Sequence, residues 1–415
     1  MLNFPIFPTT FGLFIFWKMG TGGENTAMNY FPLTTEQQEW KERVAEIAAR
    51  EIGPRAATAD RLAQYPRESL EALRAANLWA LRTSREYGGL GADLVTTCLV
   101  VEEIAKKCPS TGMCYKMHLE ATELVNRIPT PYQVERFVKP LARGEVFATI
   151  AGGETGGATG SDWRPNAMEV STCRQVDGGF QLDHVRKSYV TSAGHATHYL
   201  LLSRLEGRPT QEMPDFLMVE REHIDWQVVG EWNGLGMRGN SSNPMVFTGV
   251  VPAEHRLGIG HEDEPVIPKY MMPLLILTYG AAYLGIASGA YELACQEATT
   301  RFPSGARRLD APINQRRFAE MSAQIEAARA LLHAAAAMAD SGRARSPVPY
   351  VQAKVLCSEA AVRVTQDVMT IFGGTAFAAR LPFERYFRDA RAGLVMGMAN
   401  DQAYEMIANM LFPKS

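Results

Sequence analysis

The chain has 415 residues, of which 46% are hydrophobic and 21% are charged, and its formal net charge is −3. This composition is typical of a soluble globular protein with room for two or three packed units. The small net charge, without a block of lysines and arginines, argues against a nucleic-acid-binding surface. Six scattered cysteines without a C-x-x-C pair indicate reduced thiols and a cytoplasmic location.

Residues 1–32 are predicted to form a loose N-terminal tail. The apolar start looks like a signal peptide, but it lacks a basic leading region and is interrupted by Pro5 and Pro8. It is also too short to span a bilayer. Met19 and Met28 offer later start positions. We expect no other segment to cross a membrane.

Residues 33–143 are predicted to form a helical domain. Apolar residues recur at helical spacing from Trp40 onwards, and Thr34 with Gln37 has the pattern of a capping box. Three further helical segments follow, interrupted by the glycine-rich turn YGGLGAD. This block is therefore predicted to be all-helical.

The pattern changes twice after that block. Residues 144–262 contain short β-branched and aromatic runs, such as HYLLLSRLE and DFLMVERE, separated by turn residues, which is typical of antiparallel strands. Residues 263–415 return to helical patterns, with an alanine-rich stretch and a further helix after Pro347 and Pro349. The order helix, strand, helix predicts an α+β fold of three domains.

A glycine-rich segment, GGETGGATGSD, lies early in the predicted β domain. Its glycines allow backbone N–H groups to approach a flat ring or a phosphate. No lysine followed by a hydroxyl residue is present, as a Walker loop would need, and no βαβ unit surrounds the segment. Taken alone, such a segment is more often a plain flexible loop.

The segment after this loop carries two features. Tyr189 and Thr191 are predicted to alternate on one strand face, where a ring and a hydroxyl would flank a cofactor; an ordinary half-exposed strand is the alternative. His195 and His198 have H-x-x-H spacing, but no third ligand lies nearby in the sequence. A metal site is therefore not expected.

Gly373 and Gly374 interrupt a helical run close to the C-terminus. Interior glycine costs a helix up to about 1 kcal/mol. We therefore expect a ligand or another chain segment to approach closely at this pair.

Seven short motifs occur in one order along the chain: EYGGLGADL, VEEIA, GSD, K-x-Y-V-T, GMRG, VPAEHRLG and GG-x-x-F…P-x-E-R-x-x-RDAR. In this set and order the chain resembles the acyl-CoA dehydrogenase family of flavoproteins, from about Leu33 to Leu411. The resemblance implies an N-terminal helical domain, a middle antiparallel β-barrel domain and a C-terminal four-helix bundle. It also implies FAD as the cofactor, a CoA thioester as the substrate, and a tetramer or dimer.

The resemblance also assigns the flavin contacts to particular residues of this chain. These are Gly152, Gly153, Gly160, Ser161, Tyr189, Thr191, Arg301, Thr370, Gly373 and Gly374. Three departures stand out: Gly153 replaces a usual threonine or serine, Thr370 replaces a usual glutamine, and Arg301 is followed by FPSGARRLDAP rather than an aromatic-glycine segment. FAD is still expected, with some of its contacts altered.

The family's catalytic base is missing. In the dehydrogenases that this chain resembles, a glutamate about seven residues beyond the RDA motif removes the α-proton of the substrate. That position here is Gly397, and the alternative base position on the first long C-terminal helix is Leu275. A displaced base, Asp401 or Glu405, is the remaining possibility within the family mechanism.

Three functional hypotheses follow. The first is an FAD-dependent oxidoreductase that oxidises or oxygenates an unusual acyl thioester or ring substrate with O₂, as relatives of this fold without the base do. Its pocket would be lined by Leu275, Ile276, Met396 and Met398, with His118 as a candidate catalytic residue or, alternatively, a packed core histidine. The second is an ordinary acyl-CoA dehydrogenase with a relocated base, and the third is a non-catalytic flavin-binding scaffold.

Overall fold

The computed structural model describes residues 30–153, 171–209 and 214–413. The predicted N-terminal tail lies almost entirely outside these ranges, as do two expected flavin contacts, Gly160 and Ser161. Within them the chain forms helices, then a sheet, then helices again. The predicted α+β fold with this order is confirmed.

The first part is helical and is built around two buried helices. The predicted capping box is present at its start, because the Thr34 hydroxyl accepts from the Gln37 N–H and the Gln37 side chain accepts from the Thr34 N–H. The helices are α1 (Thr35–Ile47), α2 (Gly53–Arg61), α3 (Arg67–Ala75), α4 (Leu94–Lys107), α5 (Pro109–Arg127), α6 (Pro131–Gln133) and α7 (Lys139–Ala142). Helices α4 and α5 are buried on nearly every side, so they belong to the centre of the protein.

Over residues 148–153, 171–209 and 214–252 the middle part is a seven-stranded curled sheet. Its strands are β1 (Ala148–Ala151), β2 (Thr172–Val176), β3 (Gly179–Val190), β4 (His198–Leu205), β5 (Asp215–Glu220), β6 (Asp225–Val228) and β7 (Asn243–Pro252). The strand order is β1-β4-β2-β3-β7-β6, with β5 pairing to β4. The expectation of antiparallel strands holds for four pairings, whereas β1 and β2 both pair with β4 in parallel.

The last part is a helical bundle of three long helices and four shorter ones among the described residues. They are α8 (Met272–Ala298), α9 (Pro312–Asp340), α10 (Val348–Phe372), α11 (Gly374–Phe377), α12 (Phe383–Ala390), α13 (Ala392–Val395) and α14 (Asn400–Leu411). Helix α8 packs against α4, α9 and α10. It is therefore the helix that joins the bundle to the N-terminal part.

Helix α8 bears on the expectation that no other segment crosses a membrane. Together with the π-helical turn before it, residues Ile267–Ala298 are long and apolar enough to cross a bilayer by length and composition. However, 83% of the apolar window is buried inside the protein. An apolar helix of this kind is accounted for by its place in the core.

Two glycines allow α8 to lie directly on α4. A Cβ atom at Gly285 would be 2.6 Å from the Glu102 carbonyl oxygen, and one at Gly289 would be 2.4 Å from the Lys106 carbonyl oxygen. Neither position tolerates a side chain without separating the helices. This close crossing fixes α8 beside the N-terminal helices and brings its first turns next to α5.

The RDAR motif ties the three parts together. The Arg388 guanidinium binds both carboxylate oxygens of Asp60, at 2.9 and 2.6 Å, on α2. The neighbouring Asp389 accepts a 2.6 Å hydrogen bond from the Met237 N–H in the middle part. The motif therefore has a structural role in holding α12 against the rest of the chain.

Candidate functional site

The first group of expected flavin contacts lies at one end of β3. Gly153 forms an isolated bridge with Tyr189, and its carbonyl accepts a 2.8 Å hydrogen bond from the Ser188 N–H. The Tyr189 ring is 52% exposed and lies edge-on to Trp232, with 6.5 Å between centroids. Gly152 is the next residue towards β1. The result is an open aromatic surface beside glycine backbone.

Thr191 differs from its expected place. Strand β3 ends at Val190, and the chain turns at Ser192, which has a φ of +62°. Thr191 is therefore buried rather than sharing an exposed face with Tyr189, and its hydroxyl lies 3.0 Å from the Ser242 hydroxyl. In this position it supports the end of the strand from within.

The second group lies at the far end of α10. Gly373 ends the helix with a φ of +52°, and nothing lies within 4 Å of a Cβ built on Gly373 or Gly374. The positive φ requires glycine here, so the expected close approach at this pair has open space available. Thr370 is exposed one turn earlier, and its hydroxyl donates to the Gln366 carbonyl.

Arg308 lies near this glycine pair, and Arg301 forms a bridge with Arg307, the residue before Arg308. Arg301 is exposed and donates from Nη1 to the Gly305 carbonyl at 2.6 Å. Arg308 was not anticipated from the sequence: its guanidinium stacks on Phe302 and Phe372 at 4.8 and 4.9 Å, and it reaches the Thr375 hydroxyl at 3.4 Å. Guanidinium groups beside exposed glycine backbone suit a pyrophosphate. The chemistry of both groups fits FAD, with a flat aromatic surface for the ring and cations for the phosphates.

An aromatic ring lies against Gly397, the position at which the family resemblance predicts the missing acid. Gly397 has a φ of +82°, and a Cβ built on it would lie 2.6 to 2.9 Å from three ring atoms of Tyr279 on α8. Real Cβ atoms do not approach a ring so closely. Gly397 itself is exposed, whereas Tyr279 is half-buried. A side chain at position 397 would therefore meet the ring of Tyr279.

The residues expected to line the pocket surround this contact unevenly. Leu275 lies one helical turn before Tyr279 and is half-buried, as are Met396 and Met398 beside Gly397. Ile276 is only 4% exposed and belongs to the core. Three of the four are thus accessible from the side on which Gly397 lies.

The ammonium group of Lys354 holds the segment that carries Gly397. Lys354 on α10 donates to the carbonyls of Gly393 and Met398, at 2.9 and 2.6 Å, and to the Asn400 side-chain oxygen at 2.8 Å. Burial lowers the pKa of Lys354 to about 8. Three acceptors on one cation fix the backbone on both sides of Gly397.

A buried ion pair lies on the other side of Tyr279. The Lys116 ammonium is 3.1 Å from the centroid of the Tyr279 ring and 2.5 Å from a carboxylate oxygen of Glu120. Both charged side chains are almost fully buried on α5. The same Glu120 oxygen lies 2.8 Å from the Thr278 hydroxyl. We call Lys116, Glu120, Thr278 and Tyr279 the α5–α8 cluster.

Burial perturbs both charges of the α5–α8 cluster. It lowers the pKa of Lys116 to about 8 and raises the pKa of Glu120, in each case opposed by the attraction between the two groups. The other Glu120 oxygen has no hydrogen-bond partner in the described structure. Sequence analysis missed this pair, although opposite charges four residues apart in the apolar text YKMHLEAT were a usable signal.

His118 is engaged in the core instead of facing a substrate. Its Nε2 lies 2.8 Å from the Trp79 carbonyl, and its Nδ1 accepts a 3.0 Å hydrogen bond from the Ala148 N–H. The ring stacks on Phe147, with 4.8 Å between centroids, and burial lowers its pKa to about 4. Both ring nitrogens are used by backbone groups, so His118 joins α5 to β1. It is a packed core histidine, which disfavours the catalytic role considered from the sequence.

The structure also shows where the two candidate acids and the two histidines of the H-x-x-H segment lie. Asp401 and Glu405 both lie on the exposed side of α14, opposite buried Ala403. His195 stacks on Tyr65 with 3.9 Å between ring centroids, whereas His198 contacts the Thr197 hydroxyl. The two histidines therefore contact different groups.

Comparison with known proteins agrees with this architecture. The model of the acyl-CoA dehydrogenase N-terminal domain matches residues 34–145, and that of the C-terminal domain matches residues 277–411. A probable acyl-CoA dehydrogenase, fadE25 of Mycobacterium bovis, is 27% identical over 373 residues, covering 88% of this chain and 93% of the relative. A 3-sulfinopropanoyl-CoA desulfinase of Paraburkholderia xenovorans is 28% identical, with the same coverage of both chains.

Solved structures share the fold over nearly the whole length. Butyryl-CoA dehydrogenase from Megasphaera elsdenii superposes with a TM-score of 0.83 at 24% identity, covering 92% of this chain and 99% of that one. The FAD complex of PigA superposes with a TM-score of 0.77 at 21% identity, covering 92% and 98%. Because the two matched domain models flank a curled sheet in the expected order, the chain belongs to the acyl-CoA dehydrogenase family.

Proposed function

We propose that this chain is an FAD-dependent oxidoreductase that acts on an unusual acyl-CoA thioester or ring substrate with O₂, by a route other than base-initiated α,β-desaturation. The contact between Gly397 and Tyr279 carries the proposal. General-base catalysis typically contributes about 10²–10⁴ in rate. A desaturase that filled the position of its base with a ring would lose that contribution.

The cofactor is FAD, in keeping with the family and with the PigA complex. Bound flavin supplies a two-electron acceptor and, once reduced, reactivity toward O₂. Tyr189 and Gly153 would lie against its ring, while Arg301, Arg308 and the pair Gly373 and Gly374 would hold its phosphates. The second group faces solvent in the single chain, and a second copy of the chain completes the site in a tetramer or dimer.

The rival within the family mechanism is a dehydrogenase with a relocated base. The first two acids after Gly397, Asp401 and Glu405, are exposed on α14. A base for α-proton removal needs a position shielded from water beside the α-carbon. Glu120 is shielded, but it is almost fully buried between α5 and α8, and it is paired with Lys116 and Thr278 through one oxygen. These placements favour the base-free route.

The deciding experiment is anaerobic. The FAD-bound, oxidised protein is mixed with straight-chain, branched and aryl-acetyl CoA thioesters while the visible flavin absorbance is followed. We expect the band to shift on binding but not to bleach. The chemically reduced protein is then given isotopically labelled O₂ and the same thioesters, and label is expected in a product.

The other outcomes discriminate between the rivals. Bleaching by a thioester without O₂ would contradict the proposal and support a dehydrogenase with a relocated base. A flavin that neither bleaches nor passes label from O₂ to any thioester would instead support the non-catalytic scaffold. Glu405→Gln serves as a matched variant for the first case, because a true base there would be lost with the carboxylate.

A further inference from the structure

The hydroxyl of Tyr279 is almost uncommitted. Its one recorded partner in the described structure is the thioether sulfur of Met117, at 3.9 Å. Thioether sulfur is a weak acceptor, and a half-buried phenol ordinarily finds a better one. The ring lies against exposed Gly397, and Cε2, one of the ring atoms nearest to a Cβ built on Gly397, is bonded to the carbon that carries the hydroxyl.

The ring that carries this hydroxyl is held on two sides. The Lys116 ammonium lies 3.1 Å from its centroid, a cation–π contact in a water-excluded position. Tyr283, one turn further along α8, stacks on the ring with 6.0 Å between centroids. Lys116 is in turn fixed by Glu120. The direction of the hydroxyl is therefore set before any ligand binds.

We propose that Tyr279 takes the place of the missing acid as a hydrogen-bond donor to the thioester carbonyl oxygen of the bound substrate. This inference rests on the proposed function, since it requires a thioester in the site. The acid of the desaturases acts at the α-carbon, and the carbonyl is bonded to that carbon. A donor at this place therefore reaches the carbonyl oxygen, the nearest acceptor on the substrate.

Tyrosine in place of glutamate puts a proton donor where the desaturases have a proton acceptor. Burial raises the pKa of Tyr279 well above its ordinary value of 10, so the phenol stays protonated and neutral at physiological pH. A neutral phenol cannot remove an α-proton, but its hydrogen bond withdraws electron density from the carbonyl. The site is thereby suited to activate the acyl group for reactions other than desaturation.

The test uses phenylacetyl-CoA labelled with carbon-13 at the carbonyl, bound anaerobically to the oxidised FAD-loaded protein. Difference infrared spectra report the carbonyl stretch, and calorimetry reports the Kd. Tyr279→Phe keeps the ring over Lys116 and removes only the hydroxyl. The matched control is Tyr291→Phe, a hydroxyl deletion three turns along α8 where the ring packs against Phe318.

In the wild type we expect the carbonyl band to move to lower frequency on binding. Tyr279→Phe is expected to lose that shift and to bind about 2- to 10-fold more weakly, the range for one neutral hydrogen bond. Tyr291→Phe should keep both. An equal shift in the wild type and Tyr279→Phe, or no shift in the wild type, would overturn the inference alone. No binding of any thioester to the wild type would overturn the proposed function and this inference with it.

Discussion

The contact between Gly397 and Tyr279 makes a quantitative prediction about stability. Gly397→Ala adds a single methyl group at an exposed position, where a substitution is usually worth less than about 0.5 kcal/mol. Here that methyl group would lie 2.6 Å from the Tyr279 ring, on backbone with a φ of +82°. The nearby ring and the positive φ both disfavour a side chain at this position. Gly397 should therefore tolerate substitution less well than other exposed residues do.

The expected cost has two separable parts. A side chain in left-handed backbone costs about 1–2 kcal/mol. Displacing a packed ring costs about 1–3 kcal/mol more, as in other overpacked sites. Gly397→Ala should therefore lower the free energy of unfolding by about 2–5 kcal/mol. In a Tyr279→Ala background the ring is gone, and only the backbone part should remain.

The measurement is a double-mutant cycle on the FAD-bound protein. Urea unfolding of the wild type, Gly397→Ala, Tyr279→Ala and the double variant gives a coupling free energy of about 1–3 kcal/mol. Gly305→Ala is the matched control, because Gly305 also has a positive φ, +83°, with nothing within 4 Å of its Cβ. It should show the backbone cost alone.

Equal costs of Gly397→Ala in both backgrounds would contradict a collision with the ring. A cost of Gly397→Ala no greater than that of Gly305→Ala would contradict it too, since the ring would then contribute nothing. Either result would mean that Tyr279 moves aside freely.

Two further predictions concern buried charges. Lys116→Met should lower the free energy of unfolding by about 3–5 kcal/mol because it leaves Glu120 buried without its partner. In urea unfolding, the double variant Lys116→Met with Glu120→Gln should recover part of that loss. Equal losses in the single and double variants would contradict a buried pair. Burial raises the pKa of Asp389 from 3.8 to about 6, so the folded state favours the neutral acid, and the stabilisation present below pH about 4 should disappear as the pH rises through 6. Asp389→Asn keeps an acceptor for the Met237 N–H, and its stability relative to the wild type should rise by up to about 3 kcal/mol over that interval; a flat difference between the two proteins would refute the assignment.

Local signals in the sequence predicted the features that depend on neighbouring residues. The capping box of Thr34 and Gln37 needs only a four-residue pattern, and it is present. The change from helix to strand near residue 144 falls between α7 and β1. The assignment of the missing acid to Gly397 rests on the RDAR anchor, which lies close by in the chain, and it stays a prediction.

Features that depend on distant contacts were not predictable in the same way. Tyr279 and Gly397 lie more than a hundred residues apart, so nothing in the local text VMGMAND indicates a ring against it. The burial of Thr191 depends on Ser242 from another strand, and the hydrogen bonds of His118 come from Trp79 and Ala148. Periodicity identifies which residues are buried, but it does not identify their partners.

The crowding at Gly397 also determines what an engineered acid at this position would require. Glutamate at position 397 and tyrosine at position 279 cannot occupy this backbone together, because the first atom of the side chain already meets the ring. Glutamate at position 397 alone would have to displace the ring from its place over Lys116. Introducing the acid therefore takes two substitutions, one at position 397 and one that removes the ring at position 279.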